Sequence, residues 1–256
     1  MRFASLGSGS AGNSMVIEQA STRLLLDCGF SVKETVARLA NLALSPESMT
    51  AILVTHEHDD HAKGAFKLAE KFNIPVWLSH GTRVMTERYH PKAAGLKINE
   101  VDIHTNFNID AIEVFPYPVP HDAREPSQFT FSDGQHKLGV LTDVGVTTPH
   151  IETMLSGCDA LVLECNHDAS MLQKGPYHHA LKKRVGGHLG HLDNASSAKL
   201  LSRLDNTKLK HIIAAHLSVK NNTQALAKKA LSEALNCDDS WVGVATQEAG
   251  FDWRSL

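Results

Sequence analysis

The chain has 256 residues, enough for one large domain or two small ones with a substantial buried core. Hydrophobic residues make up 42% and charged residues 21%, the balance of an ordinary globular protein. A formal net charge of -3 excludes a global basic field of the kind that announces a nucleic-acid binder, although a local patch or bound metal ions can still supply positive charge.

The chain opens MRFASLGSGSAGNS, in which Gly7, Gly9 and Gly12 spell G-x-G-x-x-G and Asp27 follows as a nearby carboxylate. A dinucleotide site would need a helix directly after these glycines, because the helix N-terminus binds the pyrophosphate. Instead NSMVIEQ and TRLLLDCG read as two strands turned at Ser21 and Thr22, so the glycine loop joins strands. SVKETVARLANLAL is an amphipathic helix with Ser31 as its cap. AILVTH reads as a buried strand, AKGAFKLAEKF as a helix, NIPVWLS as a strand, and TRVMTERYH as a helix begun at Thr82. Strand character returns between Val101 and Thr142, with a turn at Ser132, Asp133 and Gly134. The remainder alternates: a helix near PHIETMLSG, a strand DALVLEC, a helix NASSAKLLSRL, a strand HIIAAHLS, a helix TQALAKKALSEAL and a strand WVGVAT. This order predicts an α/β protein, a single domain over residues 1–256 built as a four-layered αββα sandwich.

No run of about 18 apolar residues occurs, so no membrane partner is expected, and the start of the chain does not read as a signal peptide. Cys28, Cys158, Cys165 and Cys237 form no C-x-x-C pair and read as reduced thiols, which suits the cytoplasm. The unusual count is His, at 16, against 3 Trp and 3 Tyr. His is the side chain most used for metal ligation and for proton transfer near neutral pH.

The strongest chemical signal is ILVTHEHDDHAKG, which sets His56, His58, Asp60 and His61 just past an apolar strand. In extended chain His56 and His58 point to one side, and a turn brings Asp60 and His61 back toward the same point. These are two incomplete half-sites, so further ligands must come from elsewhere in the chain. Later in the sequence, ECNHD offers Glu164, Asn166, His167 and Asp168 at a strand end, where His167 is a candidate substrate contact. GHLGHLDN sets His191 just before a helix, as a candidate general acid or phosphate contact, with His188 as its rival. Lys182, Lys183 and Arg184 form a basic run beside His178 and His179, either a solvated face or a contact to a phosphate backbone. Tyr117, Phe129 and Phe131 read as packing rather than base-stacking residues.

H-x-H-x-D-H followed by a helix resembles the signature of the metallo-β-lactamase superfamily of hydrolases. The resemblance implies four further positions in the family's order. Asp27 in LLLDCG would support the metal loop from behind; His121 in VPHDA would be the third metal ligand; Asp143 in LTDVG would bridge two metals; His216 in AAHLS would be the last His ligand. One metal would then take His56, His58 and His121, the other Asp60, His61 and His216, with Asp143 and a hydroxide between them. Asp143 stands where antibiotic-degrading members carry Cys, and His58 where oxygen-reducing members carry Glu. Within the superfamily, GSGSAGNS, THEHDDHAKG, LVLECNHD, GHLDN and HLSVKNN resemble the YycJ/WalJ-type bacterial subgroup. That resemblance implies a DNA exonuclease acting from the 5′ end, with Zn or Mn as the two divalent cofactors and Mg, Fe or Ni as other choices. The bridging hydroxide would attack phosphorus, with Asp60 and Asp143 in the catalytic centre and His191 completing it. Ser10 and Asn13 of the glycine loop would hold a substrate phosphate. Cleavage of small or cyclic phosphodiesters, thioester or lactone hydrolysis on the same metal core, and a binding module without turnover are the alternatives.

Overall fold

The computed structural model describes residues 1–89 and 95–256. His90, the last residue of the helix expected from Thr82, lies outside them. In chain order the strands are β1 (Arg2–Gly7), β2 (Ser14–Gln19), β3 (Thr22–Leu26), β4 (Ala51–Leu53), β5 (Val76–Ser79), β6 (Ile98–Val101), β7 (Phe107–Ile109), β8 (Ile112–Pro118), β9 (Ser127–Ser132), β10 (Lys137–Leu141), β11 (Ala160–Glu164), β12 (His211–Ala215), β13 (Val242–Val244) and β14 (Phe251–Ser255). They pair into two seven-stranded sheets, β14-β1-β2-β3-β4-β5-β6 and β13-β12-β11-β10-β9-β8-β7. The helices are α1 (Val32–Asn41), α2 (Asp59–Ala62), α3 (Ala65–Phe72), α4 (His80–Thr86), α5 (Pro149–Leu155), α6 (Ala169–Lys174), α7 (His179–Val185), α8 (Asn194–Leu201) and α9 (Gln224–Leu235).

Side-chain alternation along the strands decides the layers. Met15, Ile17, Leu24 and Leu26 of the first sheet meet Leu138, Val140, Val162 and Ile213 of the second in one buried cluster between the sheets. The intervening residues point outward. Val16 and Leu25 pack with Leu39 of α1 and with Phe66 and Leu68 of α3. Leu161, Leu163 and Ile212 pack with Ile151 of α5, Leu200 of α8 and Leu231 of α9. Both faces of each sheet are therefore covered, which is the expected αββα sandwich. Tyr117, Phe129 and Phe131 are buried, as packing residues should be.

The glycine loop joins β1 to the antiparallel β2, and no helix follows it. Gly29 and Gly64 serve a different purpose. A Cβ on Gly29 would sit 1.9 Å from the Asp60 carbonyl oxygen, and one on Gly64 would sit 1.9 Å from that of Phe30. Only glycine lets the segment after β3 lie directly against the loop carrying Asp60 and His61. Backbone bonds then lock the two together: Cys28 N–H donates to the His61 carbonyl at 2.7 Å and Gly64 N–H to that of Cys28 at 2.8 Å.

Candidate metal centre

Parallel neighbours β3 and β4, and β10, β11 and β12, present their C-terminal ends at one edge of the sandwich. Those ends deliver Asp27, the His56–His61 loop, Asp143, Glu164 and His216, and the loop after β8 adds His121. Asp27, Asp143 and His216 have φ of 58°, 54° and 55°. Non-glycine residues in this left-handed region cost roughly 1–2 kcal/mol each, and such strain concentrates at functional sites.

Two donor clusters result. His56, His58 and His121 form the first; Asp60, His61, Asp143 and His216 form the second. In the first, His56 Nε2 lies 3.0 Å and His121 Nε2 3.3 Å from His58 Nδ1. The far nitrogens are committed elsewhere. His56 Nδ1–H donates to Thr55 Oγ1 at 2.9 Å, and His121 Nδ1–H to the Gly190 carbonyl at 3.0 Å. In the second cluster His61 Nδ1–H donates to Asp27 Oδ2 at 2.8 Å, and His216 Nδ1 lies 3.2 Å from Glu164 Oε1. Each of these four imidazoles thus turns its Nε2 into the centre. Asp143 Oδ2 lies 3.0 Å from His61 Nε2, and His216 Nε2 lies 3.4 Å from Asp60 Oδ2. Neither contact has hydrogen-bond geometry, and both atoms are buried without a partner. Converging lone pairs and two orphaned buried atoms fit divalent cations.

Electrostatics separates the two clusters. Burial pushes His56 well below its ordinary pKa and lowers His121 too, so both stand neutral and ready to ligate. Burial opposes charge on His61 and His216 as well, but Asp143 and the carboxylates beside it outweigh it. His61 is held well above its usual value and His216 is raised to about 10. Those two protons must leave when a metal enters.

Glu164 and His191 complete the wall. Glu164 is fully buried at the end of β11 and accepts Val144 N–H and Leu192 N–H at 3.0 Å each. Its other oxygen takes His191 Nδ1–H at 2.8 Å. Burial opposes ionisation of Glu164, but the charge and hydrogen bond of His191 hold it at about 2. Burial likewise opposes protonation of His191, and Glu164 overrides it, raising His191 above its ordinary value. Glu164, Asp143, His191 and His216 also stand close enough to form a third donor group. The four polar contacts on Glu164 already occupy it, so it orients imidazoles rather than ligating. Nothing in DALVLEC singles it out beyond its place at the end of an apolar strand.

A cavity of about 370 Å³ opens over the clusters, lined by Ser10, Asp60, Asp143, Tyr177, Arg184 and His191 among others. Asp122 also lines it. Arg184 Nε donates to Asp122 Oδ2 at 2.6 Å, and Asp122 Oδ1 lies 3.5 Å from His121 Nε2. Of the basic run read as a solvated face or a phosphate contact, Arg184 lines this cavity, whereas nothing in the sequence pointed to Asp122 or Tyr177. Other expected substrate contacts fall elsewhere. Asn13 is buried; its amide donates to the Asp60 carboxylate at 3.2 Å, and its oxygen accepts Gly9 N–H at 2.9 Å. It steadies a donor residue and has no group free for a phosphate. His188 is exposed and outside this cavity, with its backbone against Gly145. His167 is buried but lines a separate cavity behind α7.

A sandwich with these His and Asp clusters at one edge defines a metallo-hydrolase of the metallo-β-lactamase type. The beta-lactamase superfamily domain is matched over residues 22–216; the chain belongs to this superfamily and is a metal-dependent hydrolase. Within it the chain falls with the YycJ/WalJ group. It is 34% identical over 248 residues to exodeoxyribonuclease YycJ of Bacillus anthracis, across 96% of this chain and 93% of that protein. It is 32% identical over 245 residues to exodeoxyribonuclease WalJ of Streptococcus pneumoniae, across 95% and 91%. Zinc-bound PqqB of Methylobacterium extorquens shares the fold, with a TM-score of 0.76 at 16% identity over all of both chains.

Proposed function

We propose that this chain is a 5′-to-3′ DNA exonuclease with two metal ions, acting as one catalytic unit over residues 1–256. The observation that carries the reading is the pair of adjoining donor clusters at the floor of a cavity edged by Arg184, with His191 held beside them by Glu164. The similarity to YycJ and WalJ supports DNA as the partner. His56, His58 and His121 would hold one ion, Asp60, His61 and His216 the other, with Asp143 shared between them. Two divalent ions in these clusters would activate the attacking water and neutralise charge growing on the phosphoryl oxygens. The nitrogen-rich donors suit Zn or Mn.

The protein's own groups do the rest. Asp27 and Thr55 fix the tautomers of His61 and His56. Asn13 holds Asp60 in place. Ser10, exposed at the cavity edge, is free to donate to a substrate oxygen. His191 gives its Nε2 proton to the leaving oxygen, while Glu164 holds Nδ1–H and favours the imidazolium. The cytoplasm is the proposed setting: all four cysteines are free, and burial pushes the Cys28 and Cys158 thiols up to about 12. Among the described residues no helix is long and apolar enough to cross a membrane.

Digestion of 5′- and 3′-end-labelled single- and double-stranded DNA, compared across Mn²⁺, Zn²⁺ and Mg²⁺, tests the activity. Early release of the 5′ label as mononucleotide is expected. Internal fragments, or early loss of the 3′ label alone, would overturn the assignment.

His191→Ala should lower kcat by about 10²–10⁴-fold while both metals stay bound. The sign of the pH effect follows from the raised pKa. The acid form persists to higher pH than in an ordinary imidazole, and activity is lost as pH rises through the raised value. Glu164→Gln removes the charge that raises it, so the alkaline fall should begin at lower pH. An alkaline limb unmoved in this variant would remove His191 from the proton transfer.

A further inference from the structure

Helix α7 buries none of its residues and stands as a wall between two cavities. Leu181, Arg184 and Val185 face the cavity over the metal centre. His179, Lys182, Lys183 and Gly186 face a second cavity of about 500 Å³. Both sets follow the three- and four-residue spacing of a helix face. At the floor of the second cavity is His167, only 3% exposed. Its Nδ1 lies 3.4 Å from Asn166 Oδ1, and that oxygen can only accept, because the Asn166 amide donates to the His216 carbonyl at 3.0 Å. Nδ1 therefore carries the proton, and Nε2 presents a lone pair. Among the described residues none hydrogen-bonds Nε2, and a Cβ on Gly186 would stand 3.9 Å from it. An acceptor that opens on a roomy cavity is available to a ligand's N–H.

We propose that the second cavity is a nucleotide subsite, with the base inserted toward His167 and the phosphate on the lysine rim. Ala169 and Leu172 supply an apolar wall for the base. His167 Nε2 accepts an N–H from the base edge, a bond that an amino-bearing base can make. Lys182 Nζ is tied to the Gln173 carbonyl at 2.6 Å, whereas Lys183 is exposed and free to meet a phosphate. This subsite rests on the phosphodiesterase reading of the neighbouring centre. A helix is on the order of 10 Å across, so a strand passing over α7 reaches the second cavity a few nucleotides from the scissile bond. The nucleotide belongs either to that strand or to a free mononucleotide, and the two sources are separable by experiment.

Gly186→Leu plugs the subsite. Its backbone φ is -88°, and the nearest contact of an added Cβ is 3.4 Å, so the local fold accepts a side chain. Lys183→Glu reverses the rim charge without touching packing. Holoenzyme would be titrated with phosphorothioate oligonucleotides of two to eight residues and with each deoxynucleoside monophosphate. Wild-type affinity should step up on the order of tenfold once the strand reaches the cavity, the usual worth of a well-held base. Gly186→Leu should erase that step and Lys183→Glu should shrink it, with bis-p-nitrophenyl phosphate turnover of Gly186→Leu unchanged. Loss of monophosphate binding in Gly186→Leu, with no length step in wild type, would assign the subsite to a free nucleotide. Equal binding of all probes by wild type and both variants would overturn the proposal. Failure of the phosphodiesterase reading looks different: wild-type holoenzyme would leave both bis-p-nitrophenyl phosphate and DNA intact.

Discussion

Asp143→Asn should reduce kcat on bis-p-nitrophenyl phosphate by about three orders of magnitude or more, with the fold retained. The carboxylate stands between the clusters, with Oδ2 3.0 Å from His61 Nε2 and Oδ1 4.0 Å from His121 Nε2. Neutralising it removes a negative charge that both ions would share. Several kcal/mol of charge stabilisation are at stake, and each 1.36 kcal/mol is tenfold in rate. Asn keeps the side-chain shape and tolerates the left-handed backbone at this position. Thermal unfolding should therefore stay cooperative while elemental analysis shows loss of metal. Near-normal turnover in a variant with full metal content would show that Asp143 is not shared between the ions.

Metal loading should proceed in two steps with different proton counts. Filling the His56, His58 and His121 cluster should release none from His56 or His121, because burial already keeps both neutral. Filling the second cluster should release about two, one each from His61 and His216, which Asp143 and its neighbours keep protonated in the metal-free protein. Affinity of the second step should rise with pH, by about a hundredfold per unit where both imidazoles are still charged. Calorimetric titration in two buffers of different ionisation enthalpy reads the counts directly. Equal buffer dependence in both steps would contradict this division of charge.

The layers were legible in the sequence because burial enforces period. Strands such as NSMVIEQ and TRLLLDCG alternate or run apolar, and each became a strand, β2 within a residue of the expected bounds and β3 ending three residues early at Leu26. The helices that cover the sheets carry apolar faces, most have Ser, Thr or Asp caps, and Ser31 caps α1 as read. Segments without a core-facing stripe gave no such signal. ASMLQKGPYHHALKKRV contains α6 and α7, yet α7 buries nothing, and its residues read only as a basic run. Edge strand β14, FDWRS, is short and mostly polar, so it too passed as coil. AKGAFKLAEKF divides into α2 and α3 because Gly64 must meet the backbone of Phe30, a contact made by distant sequence.

The site divides along similar lines. His56, His58, Asp60 and His61 are local, so their spacing speaks for them. His121, Asp143 and His216 come from separate strand ends, and the order of a resembled family found them. Asn13, Glu164 and Asp122 act by holding other side chains, a role that depends on three-dimensional partners which composition does not encode. His167 and His191 both follow the ends of neighbouring elements, yet they open on opposite sides of α7, a helix invisible in the sequence.

The left-handed backbone at Asp27, Asp143 and His216 narrows the paths by which this scaffold can drift. Asn, Asp, His and Gly tolerate that conformation, whereas β-branched and bulky side chains do not. A mutation at these strand ends must satisfy a local geometry before its chemistry is ever tested. New metal preferences are therefore more reachable through His58 and Asp60, whose loop lies partly open to the cavity. The strained strand ends act as a ratchet that conserves the carboxylate–imidazole centre while the rim around it remains free to change substrates.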